Sequence, residues 1–585
     1  MPRATGQSRA LSYQDMNPAS LNNWLPSADE LHLFSPELIL VGTIVAVLVA
    51  PLLVGRRPAV PALIAVLGCF VGLVATWAVS TQIADGPQAG MVPPAAGATP
   101  MLLADRFSVF YKLLLFLALG LITWLWLIGV QKRNGTNSTA ERGGTEFFVL
   151  LLISALGMML MVSSFNLLVL IIAIETASLP SYALVASDKR SRLGAEAALK
   201  YVMFGATASA IMIYGVSLLY GRFGTLDLSV IASTLDARYA ELRSTVATSA
   251  PVTHVAVTDA VFWLGLAALG VGITFKIAAV PMHYWCPDVF QGAPIEVTTW
   301  LSVASKAAGV GLLLRIVSVF TVTGPWPPPN LPPAAAGHTY AMTVAVLVGV
   351  LAAVTCTVGN LAALRQENVK RILAYSSIAH AGYMMMAAAI IVAPSAAGGA
   401  SAATYNTGMA AVIAYLFVYL LMNVGAFGAT ALVVWQTGTD HLSTFTGLGR
   451  RAPWVALPLA VCLFSLVGLP PLGGFTAKWY LLLALGKTAA TQPWLWILVV
   501  VAVINTAISL YYYVRIIRQM YLTDDAALPA FRPPGGGVAL VSACAIILLL
   551  LGTLWFGPLG RRAQALASDI YARPPAAQAE LSHRM

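Results

Sequence analysis

The stretch VFWLGLAALGVGITFKIAAVPMHYW, residues 261–285, decides how the rest of the chain is read. From Val261 to Phe275 it holds neither charge nor proline; then comes Lys276, and five residues later Pro281. A bilayer-spanning helix needs about 20 mostly apolar residues, and this run, traced back to near Val257, supplies them. Runs of the same kind begin near Pro36, Pro58, Asp105, Glu146, Asn166 and Gly194 on its N-terminal side. Others begin near Pro294, Tyr340, Asn368, Asn406, Pro453, Pro493 and Gly537, which brings the total to fourteen spans. Composition agrees: 59% of the 585 residues are hydrophobic, only 10% are charged, and mean hydropathy is +0.81. Soluble domains carry about 25% charged residues, so a soluble enzyme is excluded and an all-α polytopic membrane protein is expected.

The net charge of +10 reflects topology rather than a nucleic-acid partner, because the basic residues sit in ones, twos and threes between apolar runs. With the N-terminus outside, the inner loops hold 16 basic residues, among them Arg56, Lys132, Lys189, Arg371 and Arg450, and the outer loops only 4. The positive-inside rule selects that orientation, with both termini outside. Arg561, Arg562, Arg573 and Arg584 after the last span run against it. The first 35 residues read as an exposed polar extension, since Arg3 and Arg9 do not lead into the apolar core of a signal peptide. Five scattered cysteines with no Cys-x-x-Cys pair predict neither disulfides, zinc nor an iron–sulfur cluster in this chain.

Five ionisable residues fall inside apolar runs: Glu175 on the fifth span, Lys200 on the sixth, Lys276 on the seventh, Lys306 on the eighth and Lys478 on the twelfth. A charge at mid-membrane costs about 2.5–3.5 kcal/mol on insertion scales, which marks each as a functional candidate. The chain uses 24 Arg against 9 Lys, yet its deep cations are Lys. Arg stays protonated, whereas a buried Lys can release its proton near neutral pH. Pairing that merely locks helices is the alternative for any one of them, but four lysines face a single clearly deep carboxylate. On successive spans they have the parts of a lateral proton relay, bridged by water and by His380 and Tyr375 on the tenth span. Pro281, and the Pro470-Pro471-Leu472-Gly473-Gly474 run before Lys478, break the seventh and twelfth helices beside their lysines. Broken helices in corresponding halves are a mark of transporters built from inverted repeats.

Residues 282–294, MHYWCPDVFQGAP, with Val297-Thr298-Thr299 and Ser305-Lys306, resemble the subunit N family of proton-pumping NADH-quinone oxidoreductase, respiratory complex I. Ile174-Glu175 with Leu179-Pro180-Ser181-Tyr182, the stretch 370–383, KRILAYSSIAHAGY, and Gly468-Leu469-Pro470-Pro471 through Lys478 carry the same resemblance, which covers about residues 36–557. It implies fourteen helices with two inverted five-helix repeats and broken helices 7 and 12. The implied division is a polar extension 1–35, helices 1–3 in 36–145, first repeat 146–321, second repeat 340–522, helix 14 in 534–557 and a polar tail 558–585. It implies, too, that Glu175 and Lys200 form an ion pair tuning the relay, that Lys276 and Lys306 carry protons, and that Lys478 exchanges them outward. A lysine at 478 points to subunit N rather than subunit M, which typically has Glu there. Phe290 where Tyr is usual, Ala477 where Gly is usual, and a longer loop from Arg222 to His254 depart from the family pattern.

By this resemblance the chain couples electron transfer from NADH to quinone to proton pumping, in a bacterial cell membrane and as one subunit of a hetero-oligomer with membrane and peripheral partners. FMN, iron–sulfur clusters and quinone would belong to the parent complex, with no redox centre here. Competing readings are a subunit of a multi-subunit sodium/proton antiporter, a related complex with another electron donor, or a membrane spacer whose charges only lock helices.

Overall fold

The computed structural model describes residues 28–83 except 56 and 58, 101–133, 144–235 except 233, 260–318, 340–397, 402–523 and 531–570. Most of the N-terminal extension, most of the loop 222–254 and the end of the tail lie outside these residues. The described residues are helical, with three isolated β-bridges and no strand. The first six spans are Ser35–Val54, Ala59–Ile83, Arg106–Arg133, Gly144–Ser163, Leu167–Val185 and Arg192–Phe223. The seventh is Ala260–Ile277 followed, after a break, by Trp285–Gly292. The eighth runs from Ile295 to Ser318 with a π-helical turn at Leu301–Ser305. Next come Tyr340–Ala363, Val369–Ala397 and Ala402–Thr437. The twelfth is split into Pro453–Val467 and Gly473–Ala489, and Leu495–Tyr521 and Gly535–Thr553 complete the set. Thirteen helices are long and apolar enough to cross a membrane; the split twelfth brings the count to fourteen.

Burial sorts these helices into an axis and a periphery. The most apolar stretches of spans 8 and 10 are 100% buried within the chain, whereas those of spans 1, 6 and 13 are 33% buried and present aliphatic side chains outward. The site residues Lys306 and His380 therefore lie on the two helices that touch no surroundings along that stretch. The polar tail expected from residue 558 begins as a helix, Phe556–Ile570, with Ala563 and Ala567 buried and Arg561 and Arg562 exposed.

Two clasps of the same design join helix starts to the ends of the helices that follow. Asn166, capping span 5, donates from Nδ2 to Asp227 at 2.6 Å, while the Leu167 and Leu226 backbones bond at 2.9 Å. Before span 10, Asn368 Nδ2 donates to Asp440 at 2.5 Å and the Val369 N–H to the Asp440 carbonyl at 2.9 Å. Backbone groups at membrane depth must be satisfied internally, and the side-chain amide does so where a helix starts.

Two buried ion pairs escaped the sequence reading. Lys112 Nζ of span 3 lies 2.8 Å from Glu37 of span 1, both buried, although Lys112 sits in an apolar run like the lysines singled out above. Arg315 near the end of span 8 grips Asp105 with two bonds of 2.6 and 2.7 Å, donates from Nε to the Val162 carbonyl at 3.0 Å and stacks 4.6 Å over Phe107. A fork-to-fork pair with its remaining donor satisfied is a strong charge-assisted contact. Replacing Arg315 by Leu leaves the Asp105 carboxylate without a cation, though the Ser108 N–H still donates to it at 2.8 Å, so we expect a loss of about 3–5 kcal/mol, read as a lower unfolding temperature of the detergent-purified protein; the Asp105→Asn, Arg315→Leu double variant should recover part of it.

Candidate functional site

The seventh helix opens just after its lysine. Ala278 takes a positive φ of 60°, the Val280–Pro281 bond is cis, and the freed groups find partners: the Ala279 N–H bonds the Thr274 carbonyl at 2.8 Å and the Val280 N–H bonds Thr355 Oγ1 at 3.0 Å. Trp285 Nε1 takes the Phe275 carbonyl at 3.2 Å. Lys276, one residue before the helix end and 1% exposed, donates to Ser178 Oγ of span 5 at 3.1 Å. A cation there complements the negative end of the helix dipole.

The twelfth helix repeats the device with its lysine on the far side of the break. Its first half ends at Val467, Gly468 turns the chain at φ +89°, and Lys478, from the second half, donates to the Val467 carbonyl at 2.8 Å. The buried ammonium thus takes up a carbonyl that the break freed. Glycine is needed at 468 for its φ and because a Cβ would stand 2.9 Å from Lys478 Cδ; a Cβ at 474 would collide with the Ser465 carbonyl.

Between the two breaks runs a chain of buried polar groups. Lys306, directly after the π-turn and 1% exposed, has no hydrogen-bond partner for Nζ. One turn earlier Ser302 lies 3.4 Å from Ser377 and 3.2 Å from Asn423, and Tyr419 donates to Ser377 at 2.9 Å. The Tyr419 ring stands 5.3 Å from His380, whose Nδ1 is 2.7 Å from the Tyr415 hydroxyl. Tyr383 lies 5.9 Å beyond the His380 ring, and Lys478 Nζ sits 4.6 Å over Tyr383. Lys306, His380 and Lys478 are brought into one buried neighbourhood. The sequence reading had not singled out Ser302, Ser377, Tyr415, Tyr419 or Asn423 as site residues; the spacing of Tyr415, Tyr419 and Asn423 by four is a polar stripe on one helix face and was a legible signal.

Two expectations are corrected. Lys200 does not pair with Glu175: it lies 2.8 Å from both Glu196 and Asp288, and Ser209 donates a short bond to Glu175. Glu175 is thus level with residue 209, nine residues or about 13.5 Å along span 6 from Lys200 at the helical rise of 1.5 Å. Tyr375 does not join His380; it lines a cavity of about 360 Å³ with Lys200, His283, Tyr284, Asp288 and Arg371. Glu296, expected near a helix end, is at one but is only 2% exposed. Among the described residues no group of three or more His, Cys, Asp and Glu could hold a metal ion.

A bundle of fourteen spans with two broken helices and lysines buried at both breaks defines the class: an antiporter-like membrane subunit. Residues 163–509 match the family model described as NADH:quinone oxidoreductase/Mrp antiporter, transmembrane. The NADH-quinone oxidoreductase subunit N of Anaeromyxobacter sp. is 38% identical over 93% of this chain and 99% of its own length. A chain of respiratory complex I from Thermus thermophilus with bound aureothin superposes with a TM-score of 0.64 at 31% identity, covering 90% of this chain and 98% of that one. A chain of the Mrp complex from Dietzia sp. has a TM-score of 0.68 at 20% identity, over 93% and 98% of the two chains, a likeness of fold alone. The chain belongs to the NADH:quinone oxidoreductase/Mrp antiporter family, among its NADH-quinone oxidoreductase subunit N members.

Gly468→Ala should force the chain out of its left-handed turn at a cost of roughly 1–2 kcal/mol and push Lys478 off the Val467 carbonyl. The expected outcome is a lowered unfolding temperature together with impaired proton translocation, whereas Gly486→Ala, which meets nothing closer than 3.9 Å, should leave both unchanged.

Proposed function

We propose that this chain carries protons across a bacterial cell membrane through Lys276, Lys306, His380 and Lys478, while NADH oxidation and quinone reduction take place in partner subunits of the complex. The observation that carries the reading is the polar chain from Lys306 to Lys478: hydroxyls, one imidazole and a partnerless ammonium inside an otherwise apolar core. Nothing in helix packing calls for an unpaired cation there, since burying one is costly, but a group that alternates between charged and neutral forms needs a site that locks neither. Glu175, three residues before the Ser178 to which Lys276 donates, biases the first step by its charge, and a change in its own surroundings alters how readily Lys276 holds its proton. Water and hydroxyl rotation complete the links from Lys306 toward His380. Lys478, in the half-helix that leads to the outer side, discharges there. FMN, iron–sulfur clusters and quinone belong to the partner subunits in this reading, and both chain termini face outward.

Reconstituted into liposomes, the parent complex with Lys276→Ala or Lys306→Ala should lose NADH-driven proton pumping by about 100-fold, within the usual worth of a positioned acid or base, at normal subunit content. Lys306→Arg should fail equally, because guanidinium does not release its proton. Normal pumping by assembled variants would leave the lysines with a purely structural role, and a sodium requirement would favour the antiporter reading.

A further inference from the structure

Three buried cations among the described residues sit over aromatic rings, and one of them differs from the other two. Lys112 Nζ lies 5.2 Å from the Phe34 ring centroid and the Arg315 guanidinium 4.6 Å from that of Phe107, and each also has a carboxylate, Glu37 and Asp105. Lys478 Nζ stands 4.6 Å from the Tyr383 centroid, and among the described residues it forms no ion pair. Its hydrogen-bond partner is the Val467 carbonyl at 2.8 Å. The ring face is therefore the second group that meets this ammonium.

The local sequence places that ring. At Gly382, just before it, a Cβ would stand 2.6 Å from the Cys356 nitrogen of span 9, so the absent side chain lets spans 9 and 10 close at this height. Tyr383 is buried, and its hydroxyl is directed to span 13: it lies 3.2 Å from Thr506 Oγ1 and donates to the Ala502 carbonyl at 3.4 Å. Thr506 donates to the same carbonyl at 2.9 Å. This hydrogen-bond path ends on a backbone carbonyl, which accepts hydrogen bonds but has no proton to pass on. The hydroxyl thus ties the ring to span 13 while the face is turned to Lys478, and the His380 ring meets the same tyrosine at 5.9 Å in a T-shaped arrangement.

An aromatic face draws an ammonium through the ring quadrupole, more strongly where water is excluded, and it does not draw the neutral amine in the same way. A carboxylate in its place would close on the lysine as Asp105 closes on Arg315. We propose that Tyr383 is a positioning residue for Lys478, and that the face of its ring, rather than its hydroxyl, holds the ammonium at the break of span 12. The inference rests on the relay reading. While charged, Lys478 is drawn to the ring and to the Val467 carbonyl together; once neutral, it keeps only the hydrogen bond to the carbonyl. The proton leaves from a fixed place, and none passes through Tyr383.

The test is NADH-driven proton pumping by the parent complex in liposomes, compared at equal subunit content. Tyr383→Leu should lower pumping by about tenfold, the worth of a desolvated cation–ring contact, and Tyr383→Phe, which keeps the face and drops the hydroxyl, should recover most of that loss. Phenylalanines carrying two and then three ring fluorines, introduced at this position by codon suppression, keep the ring's outline while draining its negative face. Pumping should fall stepwise along that series, from the Tyr383→Phe level toward the Tyr383→Leu level. A ring needed only for packing would leave the fluorine series flat, and that result overturns the proposal. So does a Tyr383→Phe variant as impaired as Tyr383→Leu, which would give the role to the hydroxyl, and so does normal pumping by Tyr383→Leu. If Tyr383→Leu fails to assemble, the fluorine series, in which the ring stays in place, decides alone. Lys478→Ala separates the two readings: lost pumping there with a flat fluorine series sinks the positioning role alone, whereas normal pumping sinks the relay with it.

Discussion

A lysine ammonium held away from water has to be met by dipoles, and in this protein Lys276 and Lys478 meet theirs beside a broken helix. A continuous helix satisfies its own carbonyls; a broken one leaves the last turn free. At span 12 the freed Val467 carbonyl goes to Lys478. At span 7 the lysine stands one residue before the break and turns to a serine hydroxyl on span 5. The left-handed Gly468 and the close approach of Gly474 to the Ser465 carbonyl bring the two half-helices back together at the break.

The buried charges fall into two kinds, and residue type tracks the difference. Arg315 closes on Asp105 with a fork of bonds and a stacked ring. Lys112 and Glu37 form a second closed pair, remote in the chain from either break. For hydrogen-bond partners Lys276 has a hydroxyl, Lys306 none and Lys478 a carbonyl. An ion pair deep in a low-dielectric interior resists separation because each partner would be left uncompensated, so closed pairs suit clamps.

The two clasps at Asn166 and Asn368 bear on how the halves are built. Each uses an asparagine at a helix start, an aspartate after the next helix and a pair of backbone bonds between them. With an odd number of spans between them, the clasps fall on opposite faces of the bundle. Between the halves, Asp288 and Arg371 form a polar bridge.

The span count, the two breaks and the burial of Lys276, Lys306 and Lys478 were legible in the sequence because they depend on local properties: run length, proline, and a charged residue in an apolar window; Lys200, expected to be equally deep, instead has 39% of its side chain exposed near the start of span 6, where it reaches Glu196 and Asp288. Lys112 obeyed the same rule and was passed over. The family motifs around His283 and Lys370 told which subunit type this is, yet not which partners the charges choose. That depended on vertical register: spans 5 and 6 set Glu175 level with Ser209 rather than Lys200, and span 10 sends His380 inward while Tyr375, five residues away, lines the cavity. Sequence spacing fixes the face and height of a residue on its own helix; only packing against the other helices fixes the height of one helix against the next, and with it every contact between them.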